Sequence, residues 1–592
     1  MIREPERRGE DLERRLEAYV RHEAESGRKS LVESWALTVA ERVEAGDCLA
    51  GLRLVPGTEL GRVARFRCSD FSAKFREGEP LYLGQGDSPD GGLAVSFEGY
   101  DLARGEVGVS ADSFEGADLG ELRSSAEYCL DRRGLGLERL LLEGLESAFH
   151  PKNRHCVEAL LGNAGSATDQ ERYRAALEHA GKAGFLEQQG RALALAVSGD
   201  GVTLIQGPPG TGKTRVLAEA ALMLARARCR IFLTAFTHRA VDNALLAMRA
   251  LSEDLPLFKL GRNTGNGELA QAGILLFKTL ERLSLPDGGA IVGGTPYAVR
   301  KFNERRRFHF VFIDEAGQMP VAHGAIAMTQ ARRYVVAGDP RQLPPVKQGD
   351  KEARVLASSI FEHLEEHYGS LMLDRSFRLN TELARFVSEE FYGSGLRSDE
   401  SAAGRRLALR EGGRLRAVLD PRKPLVLARV DHQGRTRRSR EEATLVADLV
   451  EALLGQHRLA PEDLAVITPF RAQVRLLRHE LDRRKLYGPA LVVDTVERMQ
   501  GQEREVVILS LVSSDRDYLE SQAAFYYETG RLNVSLSRAR TKCIVVASRE
   551  AFRARPRGLP ELLATAHFKR LPRGIPVVDL TREYVGDLDT SL

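Results

Sequence analysis

Cysteine is scarce in this chain. Six occur among 592 residues (Cys48, Cys68, Cys129, Cys156, Cys229 and Cys543), and no two form a C-x-x-C pair. That leaves no spacing for a structural zinc site, an iron–sulfur cluster or a disulfide framework, so reduced and mostly buried thiols are expected. Long apolar runs are missing too. None approaches the ~18 residues that a membrane-crossing helix needs. The opening Met-Ile-Arg-Glu-Pro-Glu-Arg-Arg has no apolar core of the kind found in secretion signals, so no membrane partner and a cytoplasmic location are expected. Charge of one sign is absent as well. The 86 basic and 83 acidic residues leave a net +3, which excludes a whole-chain polycation. Any surface for nucleic acid must therefore be local. There is no internal repeat and no low-complexity segment.

What is present is an ordinary globular composition, 43% apolar and 29% charged, over a length that implies about four units. Residues 9 to 45 place Leu12, Leu16 and Val20 at helical spacing among Glu and Arg. From Gly46 to Asp112, short β-type runs (Leu49–Leu54, Arg62–Phe66, Leu81–Leu83, Leu93–Phe97, Val107–Val109) alternate with turn residues, the pattern of a small antiparallel barrel or sandwich. Residues 118 to 197 read as helix again, so the β-module is an insert on a helical stalk. A strand–helix rhythm follows, with apolar runs at Val202–Ile205, Ile231–Leu233, Ala290–Val292, Phe310–Ile313 and Tyr334–Val336. It predicts a parallel sheet with crossover helices. A second set (Leu371–Leu373, Leu425–Leu427, Leu464–Ile467, Leu491–Val493, Val506–Leu509, Cys543–Val546) predicts another such sheet, with the boundary between Pro345 and Leu371.

Gly207-Pro-Pro-Gly-Thr-Gly-Lys-Thr214 fits G-x-x-x-x-G-K-[ST] and lies between an apolar run and a helix-forming one. Gly207, Pro208, Pro209, Gly210, Thr211 and Gly212 form a loop whose backbone N–H groups can wrap a phosphate chain. The following helix adds the positive end of its dipole. Lys213 supplies a mobile cation, and Thr214 a hydroxyl for Mg²⁺. Val311-Phe-Ile-Asp-Glu-Ala-Gly-Gln318 ends a buried run in two carboxylates. Asp314 is expected to hold Mg²⁺, and Glu315 to position or deprotonate an attacking water. Val335-Val-Ala-Gly-Asp-Pro-Arg-Gln-Leu-Pro-Pro345 presents Gln342 on a proline-stiffened loop, where its amide can sense a γ-phosphate.

In this order the three motifs resemble the superfamily 1 helicases, and more closely the 5′-to-3′ branch typified by the nonsense-mediated-decay helicase and the immunoglobulin-mu-binding helicase. Six further segments extend the resemblance from about Gln189 to Ser548: Thr234-Ala-Phe-Thr-His-Arg-Ala-Val-Asp-Asn243, Val292-Gly-Gly-Thr-Pro-Tyr-Ala298, Asp374-Arg-Ser-Phe-Arg-Leu-Asn380, Ile467-Thr-Pro-Phe-Arg-Ala-Gln473, Val493-Asp-Thr-Val-Glu-Arg-Met-Gln-Gly-Gln-Glu503 and Leu532-Asn-Val-Ser-Leu-Ser-Arg-Ala-Arg540. The resemblance implies two tandem RecA-like parallel-sheet domains with an N-terminal helical stalk and a small β-barrel insert. The divisions expected are stalk helices 1–45, barrel 46–117, first RecA-like domain 118–368 and second 369–592.

The resemblance also implies roles. Gln189 would recognise the adenine edge, although Phe185-Leu186 stands where relatives have Leu-Asn. Phe377 would stack on the base and Glu503 would meet the ribose. Arg378 and Arg538 would be arginine fingers from the second domain, set opposite Lys213. Thr237, Arg239, Thr295, Pro296, Pro469, Phe470 and Thr495 would follow a single strand's backbone without reading its sequence. Arg471, Arg475, Arg478, the Arg483-Arg484-Lys485 run and the loop arginines 435, 437, 438 and 440 add charge to that track or form solvated faces. The segment between Asn243 and Ala290 is short for a second large insert, and no nuclease-like carboxylate cluster is recognisable.

The implied activity is an ATP- and Mg²⁺-dependent 5′-to-3′ translocase and helicase acting on single-stranded DNA or RNA and tailed duplexes, with a monomer expected. An ATP-switched clamp would need the same loop but no sustained turnover. A translocase that strips proteins would differ only on a duplex substrate.

Overall fold

A computed structural model describes residues 4–585 except 62, 69–72, 74, 76–78, 87–91, 102–103, 112–118, 134–136, 262–266, 300–307, 346–357, 410–414 and 500. Arg62, the barrel boundary expected at 117–118, and part of the boundary expected between Pro345 and Leu371 lie outside the described residues.

Helix Glu4–Trp35 is polar on most of its surface. Leu12, Leu16, Tyr19 and Val20 form its one apolar stripe and are buried in the same cluster as Leu145 and Ala148 of helix Leu137–Phe149. Each such side chain contributes ~1.5–3 kcal/mol, enough to dock a helix that is otherwise solvated. Helix Val39–Ala45 begins at a Thr38/Glu41 capping box and ends at Gly46 with φ +78°.

A closed antiparallel barrel follows, with strands in the order Cys48–Leu54, Ala64–Arg67, Glu106–Ala111, Leu93–Asp101, Pro80–Gly84 and Glu127–Arg132. Its sixth strand corrects the reading of residues 118–197 as helix. Glu127–Arg132 pairs with both Cys48–Leu54 and Pro80–Gly84, so the barrel extends past residue 117. The run Glu-Tyr-Cys-Leu-Asp-Arg is too short and too mixed to stand out from its helical flanks. Arg42 joins helix to barrel: its Nε lies 2.9 Å from Asp131 Oδ1, and its other nitrogens donate to Leu37 O and Gly86 O.

The first parallel sheet runs Leu275–Phe277, Leu257–Leu260, Ala290–Gly293, Arg230–Thr234, Phe310–Ile313, Arg333–Gly338, Gly199–Gln206, Leu371–Met372. The second runs Val492–Thr495, Leu464–Thr468, Arg504–Ser510, Ala539–Ala547, Leu425–Arg429, Val577–Asp579. All neighbours along both series are parallel. The apolar run at Leu371–Leu373 is expected from sequence to open the second sheet. Leu371–Met372 pairs instead with Ile205–Gln206 at the edge of the first, so the chain crosses between lobes only after Leu373. A two-residue run carries no signal of which sheet it joins.

The six cysteines are unpaired, five of them buried and Cys229 half-buried. No described helix is long and apolar enough to cross a membrane.

Candidate functional site

In parallel sheets every strand's carboxyl end faces the same edge, and ligands bind there. The phosphate loop leaves strand Gly199–Gln206, Asp314 follows Phe310–Ile313, and Asp339 follows Arg333–Gly338, all in the first sheet. Thr237, Thr295, Pro469 and Thr495 sit at the carboxyl ends of further strands in the two sheets.

The loop's glycines are sterically obligatory. Gly210 has φ +73°, and a Cβ there would lie 2.4 Å from Arg378 Cβ. Gly212, which caps helix Lys213–Arg226, has φ +78°, with a Cβ position 2.8 Å from Gln189 Nε2. Bare backbone at these positions leaves N–H groups to face an anion, and the first N–H groups of the helix have no partner within it. The loop's residues therefore fit a triphosphate.

Lys213 Nζ lies 3.0 Å from Asp314 Oδ1 and 2.9 Å from Glu315 Oε1. Burial would lower its pKa, but the two carboxylates hold it above its ordinary value. Asp314 is raised by burial, and Glu315 is lowered by Lys213 in spite of burial. Glu315 adopts φ +52°, a left-handed conformation that is strained for a residue with a Cβ. Gln318 Nε2 donates to its Oε2 at 3.1 Å, and Glu315's own N–H donates to Asp314 Oδ1 at 2.8 Å. The Asp314 and Glu315 carboxylates, with the hydroxyl of Thr214 next to Lys213 in the chain, supply oxygen donors of the kind Mg²⁺ prefers.

The second lobe closes over this cradle. Ser376 Oγ donates to Pro209 O at 2.7 Å and Phe377 N to Gly210 O at 2.8 Å, so the Phe377–Arg378 segment rests on the loop itself. Arg538 Nη2 donates to Gln342 Oε1 at 3.0 Å, Gln342 Nε2 donates to Asp339 Oδ2 at 2.7 Å, and Arg538 Nη1 reaches Gln502 O. Burial and the neighbouring Arg378 guanidinium depress the Arg538 pKa. Its Nε is buried with no hydrogen-bond partner among the described residues. A guanidinium stays protonated in proteins, so an added anion here would relieve the crowding of buried positive charge. The Arg378 Nε is paired with Glu503, which also takes Arg540, and Nη1 donates to Ser537 O at 3.2 Å.

Gln189 is buried. It donates from Nε2 to Thr211 O at 2.9 Å and accepts from Leu186 N at 3.1 Å, which ties it to the phosphate loop. Of the track residues only Thr237 and Arg239 are exposed; Thr295, Pro296, Pro469, Phe470 and Thr495 are buried. Most of these positions therefore offer a strand little side-chain surface. Thr237 Oγ1 also caps helix His238–Leu251 through Ala240 N.

Several arginines expected either to add track charge or to form solvated faces are instead held by partners within the fold. Arg471 and Arg478 pair with Asp494, and Arg475 Nη2 donates to Val43 O and Glu44 O at 2.6 Å. Arg484 is held by Asp448, Glu451 and Glu480.

Sequence reasoning missed a second bridge between the lobes. Tyr392 Oη donates to Asp339 Oδ2 at 2.6 Å, and Asn533 Nδ2 reaches Tyr392 Oη at 2.8 Å and Arg341 O at 2.7 Å. The sequence signals only half of it: an Asp inside Gly-Asp-Pro-Arg-Gln, three residues from Gln342, needs a partner once buried, but nothing local names that partner. Arg498 was missed too; it ties the second lobe to the barrel through Phe75 O at 2.7 Å.

Two family models match, each described as an AAA domain, over residues 185–391 and 356–550. The DNA replication ATP-dependent helicase/nuclease DNA2 of Xenopus laevis is 28% identical over 403 residues, 61% of this chain and 37% of that protein. DNA-binding protein SMUBP-2 of Mesocricetus auratus is 27% identical over 430 residues, 60% of this chain and 42% of that protein. Among solved structures, arterivirus nonstructural protein 10 (helicase) is similar at 15% identity and a TM-score of 0.40, over 85% of this chain and 76% of that chain. The chain thus spans less than half the length of these two curated relatives. In its motif order, its paired sheets, its two AAA-domain matches and its two curated relatives, the chain is similar to the superfamily 1 helicases, in the group of the nonsense-mediated-decay and immunoglobulin-mu-binding helicases.

Proposed function

We propose that this chain hydrolyses ATP to move 5′ to 3′ along a single strand of DNA or RNA and to separate duplexes ahead of it. The observation that carries the reading is the hydrogen bond from Arg538, in the second lobe, to Gln342, in the first, beside the Lys213–Asp314–Glu315 cluster. Such a contact makes the gap between the lobes sensitive to what occupies the cleft.

Magnesium–ATP, when bound, would supply the phosphoryl group and the charge that the cleft is built to meet. In this reading the 207–212 backbone and Lys213 hold the phosphates, Thr214 and Asp314 hold the metal, and Glu315 orients or deprotonates the attacking water. Gln189, Phe377 and Glu503 border the nucleoside. Arg538 stabilises developing charge, and Arg378 is the second cation; Arg540 keeps Glu503 paired if Arg378 turns toward the phosphates. Opening and closing of the lobes then alternates the grip on the strand at Thr237, Arg239, Thr295, Pro296, Pro469, Phe470 and Thr495.

A strand-displacement assay tests this. With ATP, duplexes bearing a 5′ single-stranded tail should separate and those bearing only a 3′ tail should not. Separation confined to 3′-tailed duplexes would overturn the direction. No separation at all, with hydrolysis still stimulated by single strands, would leave translocation alone.

A further inference from the structure

The loop that follows strand Leu425–Arg429 carries Arg435, Arg437 and Arg438, and Arg440 opens the next helix. Its root is unusually fixed. Buried His432 lies 2.8 Å from Ser514 Oγ through Nδ1 and 2.9 Å from Glu442 Oε1 through Nε2. Arg435 N donates to Ser514 Oγ at 3.0 Å, and Ser514 N donates back to Arg435 O at 2.7 Å. Ser439 N donates to Gln473 Oε1 at 2.8 Å. Val512 takes φ +73°, a costly conformation for a β-branched residue, and its N–H meets both Glu442 oxygens at 3.1 and 3.0 Å. Strain of this kind persists only where surrounding bonds over-determine it.

The arginines stand outward from that rigid root. Glu441 neutralises Arg435. Arg437, Arg438 and Arg440 are exposed, and neither Arg438 nor Arg440 has an acidic partner among the described residues. An aromatic row adjoins Arg437. Arg437 Nε donates to Tyr518 Oη at 3.0 Å, the Tyr518 ring lies 6.2 Å from that of Phe470, and the Phe470 ring lies 5.8 Å from that of Phe525. Phe525 is 38% exposed, with the Arg531 guanidinium 4.2 Å from its ring centroid.

We propose that this surface, outward of the Pro469–Phe470 strand end, is a further single-strand platform, in which Arg437, Arg438 and Arg440 meet successive phosphates while a base stacks on Phe525. Three exposed cations at one end of an aromatic row, with an exposed ring at the other, match the charge and π-faces of a polynucleotide, and the contact is indifferent to sequence. The inference rests on the nucleic-acid reading above and deepens it by naming where the strand continues.

The test is equilibrium binding of a fluorescent oligothymidylate to the full chain across a salt series. Arg438→Gln with Arg440→Gln should lower the slope of log K against log salt by about 1.4, at roughly 0.7 for each phosphate that is no longer neutralised on a single strand. Phe525→Ala should weaken binding about tenfold or more with the slope unchanged. The thermal midpoint of the arginine variant should stay at the wild-type value, since those side chains are exposed, and that of Phe525→Ala should fall only by what its contacts with Phe470 and Arg531 contribute. Wild-type slope and affinity in both variants would overturn the platform while leaving the helicase reading intact. Displacement of the oligonucleotide by polyglutamate of equal charge as readily as by unlabelled oligonucleotide would overturn the assignment to nucleic acid. Failure of the wild-type chain to bind any single strand would instead strike the parent reading.

Discussion

Arg538 and Gln342 share one hydrogen bond, 3.0 Å from Nη2 to Oε1, across the gap between two separate parallel sheets. Gln342 is also held from behind by Asp339. The amide is therefore oriented from both sides, and a change on either side reaches the other.

Arg538→Ala should lower the turnover of ATP about a thousandfold, the lower end of what an arginine finger contributes. Arg538→Lys should not restore it, because a point charge cannot replace the planar fork. Gln342→Ala should lower turnover less, and the double variant should be no worse than Arg538→Ala alone, since the two act as a unit. Steady-state hydrolysis with saturating single strands measures this. Reductions that simply multiply would show that the two side chains are not coupled.

Gly530 sits where the second lobe's helix Thr529–Ser537 meets the first lobe. A Cβ there would fall 2.1 Å from the Gln342 carbonyl oxygen. Backbone cannot yield by that amount, so Gly530→Ala should push the lobes apart. The expected result is a fall in kcat larger than any change in KM, with the thermal midpoint little altered. Tyr392→Phe removes the hydroxyl between Asp339 and Asn533 and should cost about 1–3 kcal/mol of stability, because Asp339 and Asn533 are both left without that buried partner. Parallel denaturant titrations of the two variants separate a displaced interface from a weakened one.

His323 is buried on helix Val321–Met328, with Nε2 2.8 Å from Tyr297 Oη and Nδ1 without a partner among the described residues. Burial lowers its pKa from 6.5 to about 4. The unfolded chain therefore binds this proton first as pH falls. The stability it contributes is complete above pH 6.5 and is lost progressively between 6.5 and 4, by up to about 3 kcal/mol. Thermal midpoints of the wild type and His323→Gln, measured across that window, should converge toward the acid end. A constant difference at all pH values would contradict the assignment.

The geometry of the candidate cleft was largely legible in the sequence because phosphate chemistry would restrict contiguous residues. A loop with Gly210 and Gly212 at positive φ, a lysine at the helix start and an Asp-Glu pair ending a buried strand are all local patterns. The barrel was legible as turn-punctuated short runs, apart from Glu127–Arg132. What stayed hidden was long-range pairing. Nothing in Leu371–Met372 says which sheet it borders, and nothing in helix Arg471–Arg483 distinguishes arginines facing a strand from those bound to Asp494 or to Val43 and Glu44. The Asp339–Tyr392–Asn533 bridge joins residues far apart in the chain, with no shared motif to reveal it.

The most direct measurement is multiple-turnover ATP hydrolysis by the full chain, with and without a single-stranded oligonucleotide, for the wild type and Lys213→Ala. The wild type should turn over continuously and faster with the strand, and Lys213→Ala should show no turnover under either condition. Strand-stimulated hydrolysis in Lys213→Ala, or a wild type that binds nucleotide and strand but stops after a single turnover, would contradict the motor.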